Sequence, residues 1–297
     1  MKNILVVITT AFVPTGGLTT VMMNYYRMMN KEEVKIDFAS TNNPPQVLLD
    51  EIHASGSEYY QLSDRKNVLA YFFALKKLCR GYDAIHVHAN SAMAVMELQA
   101  AIWAGIKIRI IHNHSSRSQH NLLNQLFLSL YRRSFTQAVA CSDEAGEWLY
   151  GKNGFITLRN AINAKRFKFD VVKRLIMRHN FGFGDDEYVI GHIGKFMEAK
   201  NHSFLIEVFA KYHALQPKSK LLLIGDGELR HLVEAAIDKN KVNDCVILAG
   251  LRSDISDVLQ AMDIFLFPSL YEGMPISVVE AQASGLQCYF SDAVTKV

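Results

Sequence analysis

Two glutamates, Glu272 and Glu280, have seven residues between them and offer the clearest chemistry in the sequence. Glu272 follows the apolar run 264–267, which is typical of a buried strand, and Glu280 lies in the apolar spacing of a helix. Gly273 and Pro275 mark the loop and the first turn of that helix, whose free N–H groups favour an anion. Carboxylates beside an anion site can accept hydrogen bonds from sugar hydroxyls. The pattern therefore predicts a nucleotide-sugar site, with Glu280 at the ribose.

Short apolar runs alternate with helical patterns along the chain, which predicts parallel β-α-β units with ligands at the carboxyl ends of the strands. The first strand, 4–8, is followed by a loop carrying Gly16 and Gly17, where the backbone can approach a ligand. In the second half, the strand 188–193 is followed by Gly194 and Lys195, and then by Lys200. A pair of cations after one strand favours a functional role over two solvated surface charges.

The segment 267–285 resembles the E-x7-E signature of retaining glycosyltransferases of the GT-B fold, in particular the large family 4. The resemblance covers residues 16–292. It implies an α/β fold with two Rossmann-like domains, 1–163 for the acceptor and 164–297 for the donor, whose parallel sheets face each other across a cleft. It also implies transfer of a sugar from a nucleoside diphosphate, with UDP as the expected nucleotide, to a hydroxyl of a sugar or lipid-linked oligosaccharide. Capsule or exopolysaccharide assembly is the expected route.

The same resemblance assigns roles to individual residues. Lys195 stands where the family has an arginine, and Asn201 stands where the family has a glycine after the second cation, Lys200. His112 matches a histidine that faces the donor sugar, with His114 as the fallback. The predicted catalytic residues are His112, Glu272, Lys195 and Lys200. The predicted donor-binding residues are Gly16, Gly17, Gly194, Leu251, Arg252, Gly273, Met274, Pro275, Ile276 and Glu280.

Two His-x-His pairs lie at predicted strand ends, His86 with His88 and His112 with His114. On a strand this spacing points both imidazoles to one face. Metal ligands and buried structural histidines are both open interpretations. Because no accompanying Asp, Glu or Cys set completes a site, we predict no metal and no cofactor besides the nucleotide sugar. His88 and His114 remain secondary site candidates.

The chain has 297 residues and a formal net charge of +3, which is too small to indicate nucleic acid as a partner. The four cysteines lack a paired spacing, which is typical of reduced thiols in the cytoplasm. The apolar stripe of the helix predicted from Gln119 to Arg133 fits a core helix with a cationic end. The alternative is contact with the inner face of the membrane.

The sequence ends at Val297, before the last elements that the family has, so we expect a truncated donor domain with an uncovered apolar flank. Such a flank is a predicted site of association, and a dimer is one alternative for the oligomeric state. Two further functions stay open: a related GT-B enzyme that hydrolyses or epimerises a nucleotide sugar, and a non-catalytic nucleotide-sugar binder.

Overall fold

The computed structural model describes residues 1–117 and 121–294, apart from the side chain of residue 121. The chain divides into two compact units, Met1–Ala161 and Ile162–Val297. This division falls two residues before the boundary expected from the sequence.

The first unit is built on a parallel sheet that, within the described residues, has the strand order β3-β2-β1-β4-β5-β6-β7. The interior strand β1 is fully buried at Leu5, Val6 and Val7, as its apolar run predicts. Its strands are β1 (Lys2–Ile8), β2 (Val34–Ser40), β3 (Tyr59–Gln61), β4 (Ala84–Ala89), β5 (Ile108–Asn113), β6 (Gln137–Ala140) and β7 (Ile156–Thr157). Its helices are α1 (Gly17–Met28), α2 (Gln46–Ala54), α3 (Val68–Cys79), α4 (Val95–Ala104), α5 (Asn121–Ser134) and α6 (Asp143–Tyr150).

The second unit has a smaller parallel sheet, whose order over the described part of the chain is β10-β9-β8-β11-β12. Apolar clusters that contain Phe265 and Leu223 form its core. Its strands are β8 (Tyr188–Ile193), β9 (Ser219–Ile224), β10 (Val246–Leu248), β11 (Ile264–Phe267) and β12 (Gln287–Phe290). Its helices are α7 (Val171–Phe181), α8 (His202–Leu215), α9 (Arg230–Asn240), α10 (Ile255–Val258) and α11 (Ile276–Ala283).

Local signals explain where helix α7 begins and ends. The Asp170 carboxylate accepts hydrogen bonds from the Val172 and Lys173 amides, and Gly182 ends the helix in the left-handed conformation with φ of 72°. The short strand β7 was not predicted, because two residues are too few to show a period.

Each sheet has a topological switch point, where the strand order reverses beside the first strand of the unit. In the first unit the switch lies between β1 and β4, and in the second unit it lies between β8 and β11. Loops that follow these strands diverge to opposite sides of the sheet and leave a crevice at its carboxyl edge. The two switch points are therefore the expected ligand sites.

Helix α5 corrects one expectation from the sequence, which favoured a core helix there. Leu122 and Leu126 are 85% and 72% exposed, and Leu123 and Leu130 are also exposed, whereas Asn124, Tyr131 and Ser134 are buried. Tertiary packing therefore buries the more polar face of this helix, and the leucine face is left exposed. The expected helix start at Gln119 lies outside the described residues. Among the described residues, no helix combines the length and apolar character needed to cross a bilayer.

Candidate active site

The loops after β8 and β11 meet at the switch point of the second unit. The Leu270 amide donates a 2.8 Å hydrogen bond to the Ala199 carbonyl oxygen. The Asn201 side-chain amide donates to the Pro268 carbonyl oxygen at 3.4 Å. These contacts connect the segment that carries Lys200 to the segment that carries Glu272, which are distant in sequence.

Lys200 and Glu272 form an ion pair at the centre of this site. The distance between Lys200 Nζ and Glu272 Oε1 is 2.5 Å, and the two side chains are only 16% and 15% exposed. The ammonium also lies 4.5 Å from the centroid of the Phe267 ring, within range of a cation–π contact. A largely desolvated ammonium of this kind can hold an anion more strongly than a solvated one.

Asn201 has the backbone conformation that explains its place in the motif. Its φ of 54° and ψ of 45° are left-handed, between the short 3₁₀ helix Glu198–Lys200 and helix α8. Glycine and asparagine are the residues that adopt this conformation most readily. Asparagine therefore adopts the left-handed conformation at the position where the family pattern has a glycine.

Two glycines set the path of the loop after β8. A Cβ on Gly225, whose φ is 142°, would lie 2.0 Å from the Gly194 carbonyl oxygen. A Cβ on Gly194 would lie 2.9 Å from His192 Nε2 and 3.3 Å from the Lys200 side chain. The backbone of this loop therefore requires glycine at Gly225, which follows β9, whereas a side chain at Gly194 would press on the side chains of His192 and Lys200.

Lys195 lies on the same loop in a more open setting than Lys200. Its ammonium is 3.0 Å from a Glu228 carboxylate oxygen, and its side chain is 61% exposed. Its field is therefore screened by water more than that of Lys200.

The helix start differs slightly from the sequence expectation. Pro275 is not in the first turn but occupies the N-cap position, and α11 begins at Ile276. Gly273 and Met274 are buried residues of the loop that leads into the helix, not part of its first turn. The N–H groups at the helix start are consequently those of Ile276 and Ser277.

Glu280 lies on α11 with its side chain almost completely buried, at 7% exposure. Burial raises the pKa of this carboxyl from 4.5 to about 7, and the positive charge of Arg166 opposes part of that rise in pKa. A buried carboxyl with a raised pKa is typical of a functional group rather than of a solvated surface residue.

The loop after β10 carries the two residues expected near the nucleotide base. Leu251 is exposed, and Arg252 forms a 2.5 Å ion pair with Asp254. The Gly225 amide donates a 2.9 Å hydrogen bond to the Gly250 carbonyl oxygen, which places the start of this loop beside the loop after β9.

Sequence reasoning missed His192, at the end of β8. Its Nδ1 lies 2.8 Å from the Leu266 carbonyl oxygen, so that nitrogen carries the proton and donates it. Burial holds the pKa of His192 well below its ordinary value, which keeps the ring neutral. Its Nε2 has no hydrogen-bond partner among the described residues. Only the interruption of an apolar strand by a histidine could have signalled this residue.

In the first unit, the predicted glycine pair lies at the start of α1, after the switch-point strand β1. Gly16 is the N-cap residue, and Gly17 is the first helical residue. A Cβ on Gly17 would have no atom within 4 Å among the described residues, so packing does not require glycine there. This position is open to a ligand.

The two His-x-His pairs come together in the first unit, because β4 and β5 are neighbours and His88 lies opposite His112 in their register. Ring centroids are 4.3 Å apart for His86 and His88, and 4.9 Å apart for His88 and His112. His88 and His112 are fully buried, whereas His86 and His114 are partly exposed. Burial lowers the pKa of all four rings, to about 4 for His86 and to about 3 for His114.

Comparison with known proteins finds two matching family models and several related sequences. The model of the family described as Glycosyltransferase Family 4 matches residues 15–172, and that of Glycosyl transferases group 1 matches residues 173–295. Glycosyltransferase EpsF of Bacillus subtilis (strain 168) is 31% identical over 298 residues, which cover 95% of this chain and 77% of that protein. The Escherichia coli enzyme named UDP-Gal:alpha-D-GlcNAc-diphosphoundecaprenol alpha-1,3-galactosyltransferase is 24% identical over 301 residues, with 93% and 76% covered.

Solved structures confirm the predicted GT-B fold class. The crystal structure of Anabaena Alr3699/HepE in complex with UDP and glucose superposes with a TM-score of 0.84 and 18% identity, over 99% of this chain and 82% of that chain. WaaG, a glycosyltransferase involved in lipopolysaccharide biosynthesis, superposes with a TM-score of 0.74 and 16% identity, over 98% and 81%. At these identities the likeness concerns the fold.

Proposed function

Since the chain belongs to the Glycosyltransferase Family 4 and Glycosyl transferases group 1 families and is therefore a glycosyltransferase, we propose that it transfers a sugar from a UDP-sugar to a hydroxyl with retention at the anomeric carbon. The observation that carries the proposal is the Lys200–Glu272 pair at the switch point of the second unit. A cation for the diphosphate and a carboxylate for sugar hydroxyls stand side by side there.

The chemical difficulty of this reaction is the charge that develops as the glycosidic bond breaks. The electron pair of that bond moves to the diphosphate, and the sugar becomes oxocarbenium-like. Lys200 and the amides at the start of α11 stabilise the diphosphate, and Lys195 adds a weaker, solvated charge. A charge-assisted hydrogen bond contributes about 1.5–3 kcal/mol, so Lys200 alone accounts for roughly a ten- to hundredfold rate increase.

The remaining roles follow the family resemblance. Glu272 orients the sugar hydroxyls, Glu280 accepts hydrogen bonds from the ribose, Leu251 and Arg252 contact the base, and His112 contacts the sugar. The acceptor oxygen attacks the anomeric carbon on the same face of the sugar from which the leaving group departs. The proton of the acceptor hydroxyl passes to a phosphate oxygen of the leaving group. Because side chains and a helix start stabilise the diphosphate, the reaction needs no metal at that group.

Relatives support the donor and the route. HepE is named in complexes with UDP, with UDP and glucose, and with UDP-glucose. The Escherichia coli relative is named for a UDP-galactose donor and a diphosphoundecaprenol-linked acceptor. CapH of Staphylococcus aureus is named for capsular polysaccharide biosynthesis. These names support our proposal of a UDP-sugar donor, a lipid-linked sugar acceptor and a place in cell-surface polysaccharide assembly.

A lipid-linked acceptor fits the exposed face of α5. Leu122, Leu123, Leu126 and Leu130 are exposed, and the last turn carries Arg132 and Arg133, so that face suits an anionic bilayer surface. We expect the protein to float with vesicles that contain phosphatidylglycerol and Leu126→Glu to abolish flotation. The matched change Gln125→Glu, at an exposed neighbour, leaves flotation intact. Absence of flotation of the unaltered protein refutes membrane docking but not sugar transfer.

A screen of nucleoside diphosphates and their sugars by thermal shift tests the donor. We expect UDP and one or more UDP-sugars to raise the melting temperature more than their GDP, ADP and TDP counterparts. Transfer to a diphosphoundecaprenol-linked sugar is then followed with the selected donor, and NMR coupling constants of the product give the anomeric configuration. An inverted product contradicts retention, and a rate that depends on added Mg²⁺ or Mn²⁺ contradicts a metal-free diphosphate site.

A further inference from the structure

Three histidine nitrogens in the first unit are arranged as the ligands of a metal ion. One ring nitrogen from each of His86, His88 and His112 lies within 4.8 Å of the other two. A point therefore exists that is at most about 2.8 Å from all three nitrogens, whereas a zinc–nitrogen bond is about 2.0–2.1 Å. Inward movement of each ring by about 0.7 Å completes the coordination, which is within the range of a small side-chain rotation.

Each of the three proposed ligands has a ring nitrogen that lacks another partner. His86 Nε2, His88 Nε2 and both ring nitrogens of His112 are buried and have no hydrogen-bond partner among the described residues. Buried polar atoms are rarely left without a partner, since each costs about 1–3 kcal/mol. Such a concentration of unpartnered nitrogens in a sheet core is what a bound cation explains.

The fourth histidine has the position of an orienting residue. His114 Nε2 lies 2.9 Å from His88 Nδ1. When Nδ1 of His88 carries the proton and donates it to His114, Nε2 of His88 is the free lone pair. Histidine ligands of metals commonly donate their second N–H in this way, which fixes the tautomer and the ring orientation.

The surroundings of the cluster also suit a metal. Neutral imidazole is the form of histidine that binds a metal ion. His86 and His114 are partly exposed residues, so one side of the cluster lies near solvent.

We propose that His86, His88 and His112 bind a zinc ion in the first unit, with His114 orienting His88 and a fourth coordination position left for water or a hydroxyl. Three imidazoles suit a transition-metal ion such as zinc, whereas calcium and magnesium favour oxygen ligands. His112 binds the ion with one ring nitrogen and keeps an N–H on the other, which remains suited to a sugar hydroxyl.

Zinc titration of the tag-free, chelator-treated protein tests this site without any sugar donor. We expect one zinc ion per chain to remain after gel filtration, as measured by mass spectrometry of the metal. His86→Ala and His88→Ala should weaken zinc binding by more than about a hundredfold, because loss of an orienting residue alone costs about 10–100-fold. The control His53→Ala removes an exposed histidine of α2 and should leave the affinity unchanged.

Cobalt spectroscopy keeps the test decisive if the alanine variants fail to fold. The unaltered protein should give the intense visible bands of four-coordinate Co²⁺, and Zn²⁺ should displace them. The proposal is overturned if the alanine variants still hold one zinc per chain, or if the unaltered protein binds less than one. It is also overturned if the unaltered protein shows only the weak absorption of six-coordinate Co²⁺. None of these results affects UDP binding by the second unit, which is measured separately.

Discussion

Replacement of Glu280 by glutamine should stabilise the protein above neutral pH. Burial raises the pKa of this carboxyl from 4.5 to about 7. Each tenfold change in proton affinity corresponds to about 1.4 kcal/mol, so keeping Glu280 ionised in the fold costs roughly 3 kcal/mol. Between pH 4.5 and 7 the folded chain holds a proton that the unfolded chain has released. This residue therefore lowers the free energy of unfolding as pH rises through about 7.

Urea unfolding at a series of pH values measures this effect. Glu280→Gln should raise the free energy of unfolding by up to about 3 kcal/mol at pH 8, with the gain declining towards zero below pH 4.5. The control Glu207→Gln, at an exposed position of α8, should change the free energy by less than about 0.5 kcal/mol at any pH. A gain that does not depend on pH, or a loss at pH 8, refutes the reasoning from burial.

The same substitution should weaken UDP binding roughly tenfold or more, since an amide replaces the charged acceptor proposed for the ribose hydroxyls. Stability and affinity then move in opposite directions, as is common for a group held in an unfavourable setting for function. Calorimetry at pH 8 measures the affinity, and unchanged UDP binding removes Glu280 from the proposed donor site.

Three further predictions concern the backbone of the second unit. Asn201→Ala should lower the free energy of unfolding by about 1 kcal/mol more than Asn201→Gly, because both remove the hydrogen bond to Pro268 and only alanine is strained at a φ of 54°; equal losses for both contradict this account. Lys241→Gly should raise the melting temperature, since Lys241 also has a positive φ of 56°, at the end of α9. Gly225→Ala should destabilise the protein far more than Gly250→Ala and should weaken UDP binding. Of these two positions, only at Gly225 would the new methyl group meet backbone atoms within 4 Å. Similar urea midpoints for both variants would show that the close approach of Gly225 to Gly194 is unimportant.

The fold and the strand ends that carry the site could be predicted from the sequence, because parallel β-α-β units place ligands by topology. The Gly194–Lys200 segment and Glu272 both follow strands that flank the switch point, as expected. Their pairing could not be predicted, because Lys200 and Glu272 are brought together by backbone contacts between distant loops, such as Leu270 to Ala199. From the sequence, Lys200 was expected to bind the diphosphate and Glu272 the sugar, as two separate roles.

Tertiary context explains the other differences. The apolar spacing of α5 predicted burial, yet the fold buries Asn124, Tyr131 and Ser134 and exposes most of its leucines. Each His-x-His pair was visible in the sequence. Only the register of β4 with β5 brings His88 opposite His112 and makes a cluster of two separate pairs.

The central claim is that the Lys200 ammonium stabilises the diphosphate of a UDP-sugar, and steady-state transfer by Lys200→Ala tests it most directly. The substitution removes about 1.5–3 kcal/mol of stabilisation of the diphosphate and takes the ammonium away from the Glu272 carboxylate, so kcat/KM should fall by roughly a hundredfold or more. Lys218→Ala, which removes an exposed lysine paired with Asp186 in the same unit, should leave kcat/KM unchanged. If a correctly folded Lys200→Ala protein transfers sugar and binds UDP as well as the unaltered protein does, the assignment of this site is wrong.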